Sequence, residues 1–218
     1  MCDMKLEFWL DYLSPLCYKQ HQVIEQLNKK YTFQDLEILY RSYEMIPRFE
    51  PSPDCTFAHV LSQHHVLTEE EVKVMFGELP KSLRPVKVID AHRLSHLAKK
   101  YEKAFDYNKQ IFKAYYVEKL DISNHDVLRK VAKRVGLDEH KVNEVLNSNL
   151  FYDAVQMNRE NAIMKGIFEI PHMRIDGKIR LAGYHLEEHI LDALTQAKIT
   201  YVKTDYCEGE NCERKKTR

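Results

Sequence analysis

The sequence predicts an α/β fold in which one sheet is assembled from two separated stretches of chain, with a large all-helical insertion between them. Three observations carry this. A strand pattern at Leu6, Phe8, Leu10 and Tyr12 gives way at Ser14-Pro15 to an amphipathic helix with Val23, Ile24 and Leu27. Helical period then dominates from Phe57 to about Lys165, and short strand patterns return after Gly166.

Taken in order, Leu6 to Tyr12 is a strand, and the helix behind it runs to about Lys30, where the polar stretch Asn28 to Thr32 breaks the pattern. Glu37 to Tyr43 is a second strand, and Pro47, Pro51 and Pro53 mark an irregular loop after it. The helical block holds four to six elements, among them Ala91-Leu94-Leu97-Ala98-Tyr101, Ile111-Phe112-Tyr115-Tyr116 and Val127-Leu128-Val131-Val135. Gly136 ends one of these helices and Asp138 caps the next. A strand is expected over Ile167 to Ile175, a hairpin turn at Asp176-Gly177 and a return strand from Lys178 to Ala182. A last helix carries Leu186, Ile190, Leu191 and Leu194. A β-α-β half and a β-β-α half that need each other make one thioredoxin-type sheet. The expected division is 1–56 with 166–202 for the sheet domain, 57–165 for the insertion and 203–218 for a tail.

Composition narrows the function. The 218 residues carry 33 Lys plus Arg against 33 Asp plus Glu, so no overall field steers the chain to nucleic acid or an anionic membrane. The one basic cluster, Arg214 to Arg218, reads equally as a solvated terminus. Charges at Asp3, Lys5, Glu7 and Asp11 interrupt the N-terminal apolar residues, so a cytoplasmic location is expected. Five cysteines, unevenly placed, are too few for a disulfide scaffold and leave a catalytic thiol open.

The chemistry-bearing motif is Ser14-Pro15-Leu16-Cys17 at the strand-to-helix junction. A sulfur at a helix N-terminus feels unpaired N–H groups and the positive end of the dipole, which favours its thiolate. Cys17 is therefore expected to react faster than a free thiol; the alternative is a small buried hydrophobe. Ser14 stands where the first cysteine of a C-x-x-C pair belongs. Its hydroxyl is not ionised near neutral pH and forms no disulfide, so a dithiol cycle between these two positions is excluded.

The chain resembles the DsbA-like branch of the thioredoxin superfamily and, within it, the FrnE-type proteins. The resemblance lies in Asp11 to Tyr18, Ser42-Tyr43-Glu44-Met45-Ile46-Pro47, Asp90-Ala91-His92-Arg93-Leu94, Val127 to Leu137, Gly166 to Pro171, Ile175-Asp176-Gly177 and Ala182-Gly183. It implies a thioredoxin fold with a large all-helical insertion and thiol-disulfide oxidoreductase chemistry, here monothiol at Cys17. It also implies that Pro171 is a cis-proline beside the active-site helix, with Pro15, Ile170, Pro171 and His172 facing substrate. The Ile170 backbone is then expected to pair with an extended polypeptide. Asp11-Tyr12-Leu13-Ser14-Pro15 is also similar to kappa-class glutathione transferases and hydroxychromene-carboxylate isomerases. That similarity implies a serine that holds the thiol of bound glutathione, or of another low-molecular-weight thiol.

The tail adds Cys207 and Cys212, a C-x4-C seen in FrnE-type proteins, expected to act as an auxiliary redox pair or to be incidental thiols. His185-Leu186-Glu187-Glu188-His189 and His92 with His96 have one-turn spacings that formally suit zinc, but both are read as accidental, the latter as a helix face in the insertion. No metal is expected. Three roles stay open: Cys17 supplies the sulfur, Ser14 activates a bound thiol, or the groove only binds a partner with help from Phe105, Tyr107, Phe112, Tyr115 and Tyr116.

Overall fold

A computed structural model describes residues 4–52, 55–56 and 83–203. Its main sheet has four strands in the order β3-β1-β4-β5. β1 (Met4–Leu10) runs parallel to β3 (Leu36–Ser42) and antiparallel to β4 (His172–Ile175), which pairs antiparallel with β5 (Ile179–Ala182). Parallel neighbours need a crossover, and α1 (Pro15–Lys30) supplies it. As a central strand β1 is covered on both faces, so Leu6, Phe8, Trp9 and Leu10 are all buried. That is why its apolar residues do not alternate strictly.

Two short strands were not evident from the sequence. β2 (Tyr31–Phe33) pairs antiparallel with β6 (Tyr201–Lys203), within the stretch expected to be a polar break. Aromatic contact stabilises this ribbon: the Tyr31 and Phe33 rings lie 5.5 and 5.7 Å from Tyr201.

The insertion contains α2 (Ile89–Lys100), α3 (Ala104–Phe112), α4 (His125–Arg134), α5 (Glu139–Leu146) and α6 (Tyr152–Met164). The expected start of this block, residues 57–82, lies outside the described residues. α3 continues into a π-helical turn over Lys113–Val117, closed by the Glu118 N–H donating to the Lys113 carbonyl at 2.9 Å. The caps are where the sequence put them. Asp138 accepts from the Lys141 N–H at 3.0 Å, and Gly136, at φ +70°, takes the left-handed conformation that ends α4. Buried Arg93 ties the end of α5 to α2, donating to the carbonyls of Val145, Ser148 and Leu150 and pairing with Asp90.

The strand expected from Ile167 is shorter than its alternating pattern suggests. Only His172–Ile175 is paired, and residues 167–171 form a loop ending in a cis Ile170–Pro171 bond. Proline has no N–H to give a ladder, so pairing begins after it. Asp176 and Gly177 both have positive φ, the two-residue turn that hairpins favour. α7 (Glu187–Gln196) closes the fold. Beside it, the Gln20 side-chain amide of α1 donates to the His185 carbonyl at 3.3 Å and accepts from the His185 N–H at 2.7 Å.

Candidate functional site

Ser14 is the N-cap of α1, with extended backbone (φ −86°, ψ 113°) and Pro15 in the first helical position. Its Oγ accepts from the Cys17 N–H at 3.2 Å, and its carbonyl accepts from the Tyr18 N–H at 3.1 Å. Proline brings no donor, so the Leu16 N–H is the remaining first-turn donor that no intrahelical carbonyl can reach. The junction thus carries one hydroxyl and one helix-terminal N–H where a sulfur anion would be stabilised.

Cys17 does not match its expected reactivity. Its side chain is 0% exposed, and burial pushes the thiol up to about 12, although hydrogen bonds from the Ser14 side chain and the Asp11 backbone favour the thiolate. The shift runs opposite to the lowering expected at a helix N-terminus. One turn into the helix the dipole has faded while the loss of water is complete, so desolvation wins. Alkylation of the folded protein near neutral pH is expected to leave Cys17 unmodified for hours and to label it promptly in urea, as read by intact mass.

Asp11, quoted only as part of a motif in the sequence, organises the junction. Fully buried, it accepts from the Leu13 N–H through Oδ1 at 2.9 Å and from the Met45 N–H through Oδ2 at 2.7 Å. His92 Nε2 lies 3.9 Å from Oδ1, and its ring stacks on Tyr12 at 4.5 Å. Tyr12 in turn donates to Asn108 at 2.7 Å, and Asn108 donates to Ser95 at 3.0 Å. His92 and His96 are therefore not an outlying helix face. His92 is buried behind the junction, and His96 lies within hydrogen-bond distance of Ser42 at 3.2 Å and of Asn158 at 3.3 Å. Glu44 is buried beside them, its Oε2 accepting from Gln156 at 2.9 Å, and burial raises its pKa.

Pro171 lies on the other side of the junction. Trp9 pairs with His172, so the preceding cis-proline sits at the end of β1 from which the chain turns into α1. The Pro171 carbonyl accepts from the Gly183 N–H at 2.9 Å. Ile170 has its side chain buried in the core. His172, expected to face substrate, is 3% exposed, with its ring edge-on to Trp9 at 5.9 Å. Burial first, then Arg180, Arg174 and His185, hold it down to about 4. Its ring is therefore neutral at pH 7.

The insertion's aromatic residues are core rather than an exposed face. Tyr107, Phe112, Tyr115 and Tyr116 are buried, and Phe105 packs on His21 and Tyr40. Cys207 and Cys212 lie outside the described residues. Among the described residues no three His, Cys, Asp or Glu side chains converge as metal ligands, and no helix is long and apolar enough to cross a membrane.

The model of the DSBA-like thioredoxin domain family matches residues 5–195. The chain belongs to that family. As a DSBA-like thioredoxin-domain protein it is 25% identical over 163 residues to the protein YwbO of Bacillus subtilis (strain 168), covering 72% of this chain and 78% of YwbO. Its fold is similar to that of a probable DsbA oxidoreductase, SCO1869, from Streptomyces coelicolor (TM-score 0.69, 21% identity, 89% and 90% of the two chains). It is also similar to the cytosolic disulfide reductase DsbM from Pseudomonas aeruginosa (TM-score 0.66, 13% identity, 89% and 98%), whose structure with GSH aligns too. The DSBA-like fold is shared with oxidoreductases that differ widely in sequence, so this chain's own chemistry rests on its own residues.

Proposed function

We propose that this DSBA-like protein handles a low-molecular-weight thiol, such as glutathione, and that Ser14 rather than Cys17 meets its sulfur. The thiol binds at the N-terminus of α1 on the side of cis-Pro171. There the Ser14 hydroxyl and the Leu16 N–H donate to the sulfur, and the thiol proton leaves to solvent. The thiolate so formed attacks a disulfide, forming a new S–S bond as the old one breaks and its distal sulfur leaves as thiolate. Alternatively it attacks an electrophilic carbon of the substrate, whose displaced electron pair passes to the substrate's own leaving group or conjugated acceptor. The observation that carries this reading is the burial of Cys17 with its thiol pushed up to about 12, which leaves the protein's own sulfur unable to open the reaction. Ser14 is itself 1% exposed, so side chains over the junction move aside when a thiol binds. The GSH-bound DsbM neighbour shows that the fold accommodates such a ligand in that protein. Within the family, the resemblance of the motifs at Asp11 to Tyr18 and Asp90 to Leu94 supports a FrnE-type reading. A cytoplasmic setting, where small thiols are kept reduced, fits this chemistry.

The test is calorimetric titration with glutathione, paired with the ultraviolet absorbance of its thiolate. The wild-type chain and Cys17→Ala are expected to bind saturably and to form thiolate at neutral pH, whereas Ser14→Ala loses the thiolate signal. Removing the cap costs about 1 kcal/mol of stability, which leaves the helix folded for the comparison. Isolation of a mixed disulfide on Cys17 from the folded protein would instead restore the monothiol reading.

A further inference from the structure

Among the described residues, the Tyr116 hydroxyl has no hydrogen-bond partner: the residue is 8% exposed and its Oη is buried. Its neighbour Tyr115 differs, donating to the Arg84 carbonyl at 2.7 Å. A buried hydroxyl without a partner is costly, and native proteins keep few of them.

The backbone around it is equally specific. Tyr116 lies in the π-helical turn Lys113–Val117, where the Glu118 N–H bonds to Lys113 five residues back instead of four. A π-turn inserts an extra residue into a helix and is frequent at functional sites. Here it accompanies two consecutive tyrosines that are both turned inward. The Tyr116 ring lies flat on Tyr18 of α1, 4.6 Å away with planes 3° apart, and Tyr115 packs edge-on to it at 5.0 Å. Burial, first of all, holds the phenol well above its ordinary range. The stack on Tyr18, one turn from Ser14, sets the ring against the first turns of α1. The phenol therefore keeps its proton at neutral pH, and no described residue accepts it.

We propose that the Tyr116 hydroxyl is a second hydrogen-bond donor to the sulfur anion held at Ser14, supplied by the insertion across from the α1 N-terminus. It rests on the bound-thiol function proposed above. No proton is transferred by Tyr116: the thiol S–H ionises to solvent, and the phenol O–H is shared with the resulting thiolate. Donors from two parts of the fold then converge on one atom, as electrostatic stabilisation of a developing anion requires.

Tyr116→Phe tests this, because it keeps the ring against Tyr18 and removes only the oxygen. Glutathione titration and thiolate absorbance are measured on the wild-type chain, Tyr116→Phe and Ser14→Ala, with melting temperatures alongside. Tyr116→Phe is expected to weaken thiolate binding by about tenfold, the effect of one hydrogen bond to a charged group. Its melting temperature is expected to be unchanged or higher, since an unsatisfied buried hydroxyl has been removed. Unchanged thiolate binding in Tyr116→Phe, with loss in Ser14→Ala, overturns the role of Tyr116 and leaves the bound-thiol function standing. A lowered melting temperature in Tyr116→Phe overturns it too, by showing a structural partner for the hydroxyl. If glutathione fails to bind the wild-type chain, both proposals fall together.

Discussion

Acidification from about pH 7 to about pH 5 is expected to destabilise the protein severely, because three buried imidazoles resist protonation in the native state. Burial holds His21, His96 and His172 each down to about 4, against 6.5 in an unfolded chain. Among the described residues, His21 has Tyr40 at 3.1 Å from Nδ1 and no partner for Nε2, and His172 has no partner on either nitrogen, so neither ring has a described acceptor waiting for a second proton. Between those two values the unfolded chain binds up to three more protons than the native one. The free energy of unfolding therefore falls as pH falls, by about 4 kcal/mol per pH unit if all three contribute. Glu44 works the other way. Its raised pKa means the native state takes up that proton first, which offsets part of this loss. Over the two units the three imidazoles remove up to about 5 kcal/mol, a third or more of the stability of an ordinary domain of about 5–15 kcal/mol. Urea midpoints at pH 7, 6 and 5 read the effect directly, and a constant midpoint would show that the rings titrate alike in both states.

Asp11→Ala is expected to cost about 4 kcal/mol. The substitution strands the Leu13 and Met45 N–H groups in a dry interior, and each orphaned donor costs about 1–3 kcal/mol. Asp11→Asn should lose roughly half as much, since one oxygen can still accept. The measurement is the shift in denaturant midpoint at constant slope. A loss under about 1 kcal/mol would mean that water or a rearranged backbone replaces both bonds. Because Leu13 precedes Ser14, the same substitution also loosens the start of α1.

Much of the fold was legible because local chemistry and tertiary structure agree. Ser14-Pro15 caps and opens α1, Asp138 caps α5, and Asp176-Gly177 makes its turn, each through bonds within a few residues of chain. The shortened β4 was misread because Ile167, Phe168 and Ile170 mimic a strand. Ile167 and Ile170 are buried, yet Phe168 is 72% exposed and the segment pairs with nothing until Pro171 is passed. The site itself was legible only in its location. Cys17 was misjudged because the helix dipole is visible in the sequence, whereas burial depends on what folds over the helix. His92 was weighed only as one half of a metal spacing, because nothing within α2 shows that this turn packs against Asp11 and Tyr12. Tyr116 entered only as one of five aromatic residues offered for partner binding, since a π-turn has no periodic signature.

The amide clamp between Gln20 and His185 joins residues 165 positions apart. During synthesis β1, α1 and β3 leave the ribosome well before β4, β5 and α7 exist, so the inner edge of the central strand stays open while the whole insertion is made. An open, apolar strand edge is a template for pairing with other chains. The helices of the insertion, rich in local contacts, can form early and stand beside that edge. The junction at Ser14 is completed only when the last strands and the His185 loop arrive. A stalled or truncated chain therefore carries Ser14-Pro15-Leu16-Cys17 without Pro171 at the end of β1 and without the His185 clamp on α1.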